Sequence, residues 1–260
     1  MADGKHRILV TNDDGIHARG LRVLTEIAHT ITDDVWVVAP EFEQSGAGHG
    51  LTLSEPLRIR QIEPRKFAVR GTPTDCVMLA VHEIITDKKP TLVLSGVNRG
   101  ANLAEDVTYS GTIAGAMEGI LCGIPSIALS QNIRRSDGEE YWETASSFGP
   151  GVVRDLITLG WERGVLMNVN FPACPPDMVK GITVTRQGFR DESELIVDRR
   201  VDARGVPYYW FGLRRAFGEP MEGVDLHAVR DNHISITPLH LDLTHAPTQV
   251  QLAAKLNKSF

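Results

Sequence analysis

Short apolar runs recur along the first two thirds of this chain, and each ends in a polar turn. They are Ile8–Thr11, Val35–Ala39, Thr91–Ser95, Ser126–Ser130 and Val165–Phe171. Runs this short and this apolar suit strands covered on both faces. Helical spacing fills the gaps. Leu21, Leu24, Ile27 and Ala28 form one stripe, and Val77, Met78, Val81, Ile84 and Ile85 form another behind Pro73. Ile113–Leu121 is a helix of small residues, and Thr144–Leu159 is a fourth, interrupted by Gly-Pro-Gly at Gly149–Gly151. Strand–helix alternation predicts an α/β fold with a mostly parallel sheet and helices on both faces.

From Lys180 the pattern becomes β-rich. GITVTRQGF and VPYYWFGL read as hairpin arms and HISITPLHLDLT as a late strand. RRAFGEPMEGVD has no apolar period and reads as an exposed loop. The chain therefore divides into an α/β core, 1–179, carrying the active site, and a β-rich part, 180–260, packed on it. Tyr208, Tyr209, Trp210 and Phe211 are the densest aromatic run. They fit either a core strand or an interface between subunits.

Length and charge narrow the partners. A chain of 260 residues allows one large α/β domain or one domain with an appendage. The net charge is -6 and no basic block stands out, so nucleic acid is excluded as a partner. No apolar stretch precedes Ile8 and none reaches membrane length, so no signal peptide and no membrane are expected. Cys76, Cys122 and Cys174 show no CxxC spacing and read as reduced, buried thiols in a cytoplasmic protein.

The turns carry the chemistry. Ile8–Thr11 leads into NDDG, Val35–Ala39 into PEFEQSGAGHG, and Thr91–Ser95 into GVNRGANL. In a parallel sheet these turns share the carboxyl edge, where open α/β sheets bind ligands. Asp13 and Asp14, then Ser45, then Asn98 can therefore converge. Two carboxylates, a hydroxyl and an amide oxygen are hard donors. They suit one Mg²⁺ or Mn²⁺ per subunit, with Ca²⁺ as a crystal substitute, better than zinc. A divalent cation would keep two adjacent carboxylates ionised. The same turn without a metal is an ordinary tight turn whose Asp caps the next helix.

In DVTYSGTIAGAMEG, Ser110, Gly111 and Thr112 open a small-residue helix. Its free N–H groups and hydroxyls suit a phosphate, though a plain Ser/Thr cap has the same pattern. Arg99 and Asn102 can add hydrogen bonds to that group. His49, four residues past Ser45, is a candidate substrate contact or leaving-group acid. Rival motifs are missing. No GxGxxG follows the first strand, and there is no GxxxxGK[ST] loop and no G-x-S-x-G elbow.

Five ordered segments, ILVTNDDGIHARGL, VVAPEFEQSGAGHGLTL, VRGTPTDCVMLA, LVLSGVNRGANLAEDVTYSGTIAGAMEG and ITPLHLDLT, resemble the SurE family of stationary-phase survival proteins. The resemblance runs from Ile8 to Thr244. It implies a Rossmann-like core and a C-terminal part that builds a homodimer or homotetramer. It also implies a metal-dependent phosphomonoesterase acting on nucleoside 5′- and 3′-monophosphates, some members also trimming short polyphosphate. The family's metal ligands fall on Asp13, Asp14, Ser45 and Asn98, and its phosphate contacts on Asn102 and Ser110–Thr112. Asp13 and Asp14 are then the candidate catalytic residues. The alternatives are a non-catalytic nucleotide sensor using the same cleft and a glycosyltransferase holding a metal-bound sugar nucleotide.

Overall fold

A computed structural model describes residues 6–134, 139–190, 193–215 and 220–258. The elements run β1 (Ile8–Thr11), α1 (Arg19–His29), β2 (Val35–Pro40), β3 (Ile59–Glu63), β4 (Lys66–Val69), α2 (Pro73–Leu79), β5 (Leu92–Arg99), α3 (Gly111–Leu121), β6 (Ser126–Gln131), α4 (Trp142–Leu159) and β7 (Val165–Phe171). Then follow β8 (Gly181–Val184), β9 (Ser193–Val201), β10 (Pro207–Arg215), α5 (Asp225–Arg230), β11 (His233–His240) and α6 (Ala246–Leu256). The main sheet has nine strands in the order β3-β4-β2-β1-β5-β6-β7-β11-β8.

The stretch from β4 to β7 is all parallel. Period-two alternation divides the strand residues between two helical layers. Ile8, Val10, Leu92 and Leu94 pack with Leu24 and Ile27 of α1 and Val152 and Val153 of α4. Leu9 and Val93 face the other way, against Cys76, Val77 and Ala80 at α2. α3 covers Ala128 and Leu166 with Ile113 and Ala116. Both faces are closed, which is why the central strands are apolar along their whole length.

Thr72 starts α2 with a capping box, its hydroxyl accepting from Asp75 N while the Asp75 carboxylate accepts from Thr72 N. A π-helical turn, Ala80–Ile84, continues α2, so the expected helix through Ile84 ends in a widened turn. The break expected at Gly149–Gly151 does not occur. α4 runs through Pro150, and Val152, Val153 and Leu156 beyond it share a core with Ile27. That packing outweighs the one backbone bond Pro150 cannot donate.

β3 and β4 were not legible in the sequence. They form an antiparallel edge pair, and β3 has no buried residue. At the other end β11 pairs antiparallel with β7 and parallel with β8, so the main sheet continues past residue 179. β9 and β10 make a separate two-stranded ribbon. Tyr208, Tyr209, Trp210 and Phe211 are all exposed on it, Phe211 to 75%, so the core-strand reading of that run is wrong. α6 buries no residue. In RRAFGEPMEGVD, positions 216–219 lie outside the described residues. No described helix is long and apolar enough to cross a membrane. The three cysteines are free thiols.

Candidate active site

The chain winds from β1 to β2 and β4 on one side, then returns to β5 on the other. The strand order therefore reverses between β1 and β5. At such a point the loops diverge to opposite faces and leave a crevice at the carboxyl edge. Asp13 and Asp14 follow β1 and Asn98 lies near the end of β5, so all three lie at the carboxyl edge.

The Asn12–Gly15 turn is held by Asn12 Nδ2 donating to Gly15 O, with Gly15 at φ +99°. Asp13 is buried and Asp14 half-buried. Gln44 N donates to Asp13 O at 2.8 Å, which brings the loop after β2, and Ser45 with it, to the same edge. Ser45 itself is exposed, its hydroxyl donating to Glu43.

β5 loses its regular register against β6 between Ser95 and Asn98. Gly96 sits there at φ +130°, and a Cβ would stand 2.1 Å from Leu129 O, so only glycine fits. Beyond the irregularity, Arg99 N donates to Asp14 Oδ2 at 3.1 Å. Asn98 gives its amide nitrogen to Gly100 O, which leaves its oxygen as a donor atom for a cation. The Arg99 guanidinium pairs with Glu140, and its charge also favours the ionised form of Asp14.

α3 supplies the opposite wall. Ser110 is its N-cap, the hydroxyl accepting from Ile113 N. Gly111 lies against Asp13, where a Cβ would be 2.6 Å from the aspartate Cβ. Thr112 Oγ1 donates to Asp13 Oδ1 at 2.5 Å. Asp13 and the start of α3 are thus in direct contact across 99 positions.

Burial pushes Asp13 up to about 6, against the hydrogen bond from Thr112, and Asp14 adds repulsion. Burial also raises Asp14, opposed by Arg99 N–H. Among the described residues no Lys, Arg or His forms an ion pair with Asp13. Thr11 Oγ1, Asn12 Oδ1 and Ser95 Oγ are buried at the same strand ends without a protein partner. A desolvated carboxylate pair, only partly offset by Thr112 and Arg99 and set beside neutral oxygens, is an environment that a hard divalent cation fits. Among the described residues no group of three or more His, Cys, Asp or Glu side chains is placed to hold a metal ion, so a cation at the two aspartates would draw on neutral oxygens as well.

Two expected residues are held by partners other than the aspartates. His49 pairs with Glu118 of α3 at 3.1 Å. Asn102 is buried, with its backbone N–H on Asn170 Oδ1 and its side-chain nitrogen on Ser130 Oγ. Asn168, Asn170, Glu118 and Glu140 were missed by sequence reasoning. The one visible signal was the pair of amides in VLMNVNF, polar residues two apart in an otherwise apolar strand.

A family model described as survival protein SurE matches residues 8–194. The chain belongs to the SurE family. Among its relatives, proteins named 5′-nucleotidase SurE from Caulobacter vibrioides and Parvibaculum lavamentivorans are similar along nearly their whole length. The first is 57% identical over 244 residues, 93% of each chain. The second is 58% identical over 243 residues, 93% of this chain and 88% of the relative. The crystal structure of SurE protein from Aquifex aeolicus superposes with a TM-score of 0.82 at 40% identity, covering 96% of this chain and all of that one. The α/β SurE fold is therefore shared, including the parallel centre that brings β1 and β5 together.

Proposed function

We propose that this SurE chain is a metal-dependent 5′-nucleotidase, hydrolysing nucleoside monophosphates to nucleoside and phosphate. The observation that carries the reading is the Asp13–Thr112 hydrogen bond, which joins a buried carboxylate to the open N-terminus of α3. A cation at the one and a phosphate at the other would be neighbours. The names of the relatives from Caulobacter vibrioides and Parvibaculum lavamentivorans support it.

Asp13, Asp14, Ser45 and Asn98 would hold one divalent ion, Mg²⁺ or Mn²⁺. Such an ion polarises phosphoryl oxygens and lowers the pKa of bound water. The chain's own groups do the rest. The N–H of Gly111 at the start of α3 binds a phosphate oxygen and stabilises charge as it builds there, while the Thr112 N–H also faces the Asp13 carboxylate. Asn102 adds an amide contact. Thr112 and Arg99 N–H orient the two aspartates. Water attacks phosphorus, the ester P–O bond breaks, and the nucleoside oxygen leaves with a proton. Arg99 acts on Asp14 through its backbone N–H and through the charge of its side chain, which is itself paired with Glu140.

Residues 180–260 serve assembly in this reading. The exposed aromatics of β10 and the unburied α6 offer apolar surface suited to a homodimer or homotetramer in the cytosol.

Phosphate release from AMP and GMP with Mn²⁺, repeated with EDTA and with Asp13→Asn, tests the activity. Rapid release that EDTA abolishes and Asp13→Asn cuts by about a thousandfold is expected, a loss of several kcal/mol of metal assistance. Metal-linked AMP binding without phosphate release would establish the sensor instead. 3′-nucleotides and short polyphosphate in the same assay define the substrate range.

A further inference from the structure

We infer that Asn168 and Asn170 are positioning residues for the phosphate site, acting through Asn102. The inference rests on Asn102 contacting phosphate as proposed above. Asn102 lies just past the end of β5, where the chain has left the sheet and its backbone groups lack a strand partner. The Asn170 side chain takes the place of that partner. Its Oδ1 accepts from Asn102 N at 2.8 Å and its Nδ2 donates to Asn102 O at 3.2 Å. Asn168 Nδ2 donates to the same carbonyl at 2.9 Å, and Asn170 Nδ2 also reaches Asn168 Oδ1 at 3.1 Å. Ser130 Oγ then takes the Asn102 side-chain nitrogen at 2.8 Å. Asn102 is fixed at its N–H, its carbonyl and its amide group at once.

The sheet explains how three strand residues reach one loop residue. Asn168 and Asn170 are two apart on β7 and so share a face, while Val169 between them packs in the opposite core. Ser130 on β6 is the register partner of Asn170. All three are fully buried. Their neighbours on that layer include Ala128, Leu166 and Leu239, an apolar setting in which amides are costly unless every group is paired. A purely structural layer would be served by apolar side chains. These amides are instead spent on a single residue at the carboxyl edge. Their effect is to hold its side-chain amide in one orientation before substrate arrives, which lowers the ordering cost of binding phosphate.

The test uses the full chain with Mn²⁺. Asn168→Ala, Ser130→Ala and Asn170→Ala are compared with Asn102→Ala and with the double variant Asn102→Ala/Asn168→Ala. The readouts are KM and kcat for AMP, inhibition by inorganic phosphate, and Mn²⁺ affinity. Asn168→Ala is expected to raise KM and the phosphate inhibition constant together by about tenfold, one hydrogen bond's worth, with Mn²⁺ affinity unchanged. The double variant is expected to be no worse than Asn102→Ala alone, because the amide acts through Asn102. A merely structural amide would give additive losses, and additivity overturns the inference. So does a phosphate inhibition constant unmoved in Asn168→Ala and Ser130→Ala, which decide the matter if Asn170→Ala does not fold. If Asn102→Ala itself binds phosphate as the parent does, the assignment of Asn102 fails and the inference falls with it.

Discussion

The Thr112 hydroxyl donates to Asp13 Oδ1, so the residue at the end of β1 and the first turn of α3 form one polar unit. Thr112→Val keeps the shape and removes the donor. A hydrogen bond to a charged group contributes about 1.5–3 kcal/mol, so kcat/KM for AMP is expected to fall about ten- to a hundredfold. Steady-state phosphate release at saturating Mn²⁺ measures it. Unchanged kcat/KM would show that Asp13 needs no help from α3.

The metal-free protein should be less stable at neutral pH than in mild acid. Asp13 titrates near 6 when folded because burial disfavours its charge, whereas an unfolded aspartate titrates near about 4. The folded state therefore holds the extra proton between those values. Stability from this group is complete below the unfolded value and is lost as pH rises through about 6, on the order of 3 kcal/mol in all. Thermal melts of EDTA-stripped protein from pH 4 to 7 should show the decline. In Asp13→Asn it should be much weaker, leaving the contribution of Asp14. A parent melting temperature flat across that range would remove burial as the cause.

Asp225 makes a stability prediction away from the metal. Its buried carboxylate accepts from Ala104 N at 2.8 Å, Gly188 N at 2.9 Å and Leu226 N at 2.7 Å. Asp225→Ala leaves three backbone donors without that acceptor, at about 1–3 kcal/mol each when buried. A loss of about 3 kcal/mol, near 10 °C in Tm, is expected from calorimetry. A shift under about 2 °C would mean that water replaces the carboxylate.

Trp210→Glu tests the assembly surface. Trp210 is 60% exposed on the ribbon, so a charge there does not disturb a core. Light scattering should show a smaller particle, with association weakened by about thirtyfold or more if Trp210 anchors the interface. An unchanged mass at micromolar concentration would place the contact elsewhere.

What could be read in advance follows burial. β1, β2, β5, β6 and β7 are covered on both faces, and their apolar runs stand out. β3 is an exposed edge with Arg60, Gln61 and Glu63 among its five residues, so no pattern marks it. Asp13, Asp14 and Asn98 were legible because a parallel sheet sends its turns to one edge. The Asp13–Thr112 bond was not, since nothing local in either segment encodes a partner 99 positions away. The pairings of Arg99 with Glu140 and of His49 with Glu118 escaped for the same reason.

The bonds from Asp225 to Ala104 and Gly188 also have a bearing on timing. Every candidate metal ligand and phosphate contact lies in the first 112 residues, and Asn170 completes the Asn102 cradle. Ala104, in the segment between Asn102 and Ser110, is nonetheless tied down by a residue in the last fifth of the chain. During synthesis every candidate ligand and phosphate contact has therefore been made before Gln187, Arg190 and Asp225 can fasten the segment leading to Ser110. This anchor of Ala104 is supplied only when the C-terminal part has emerged.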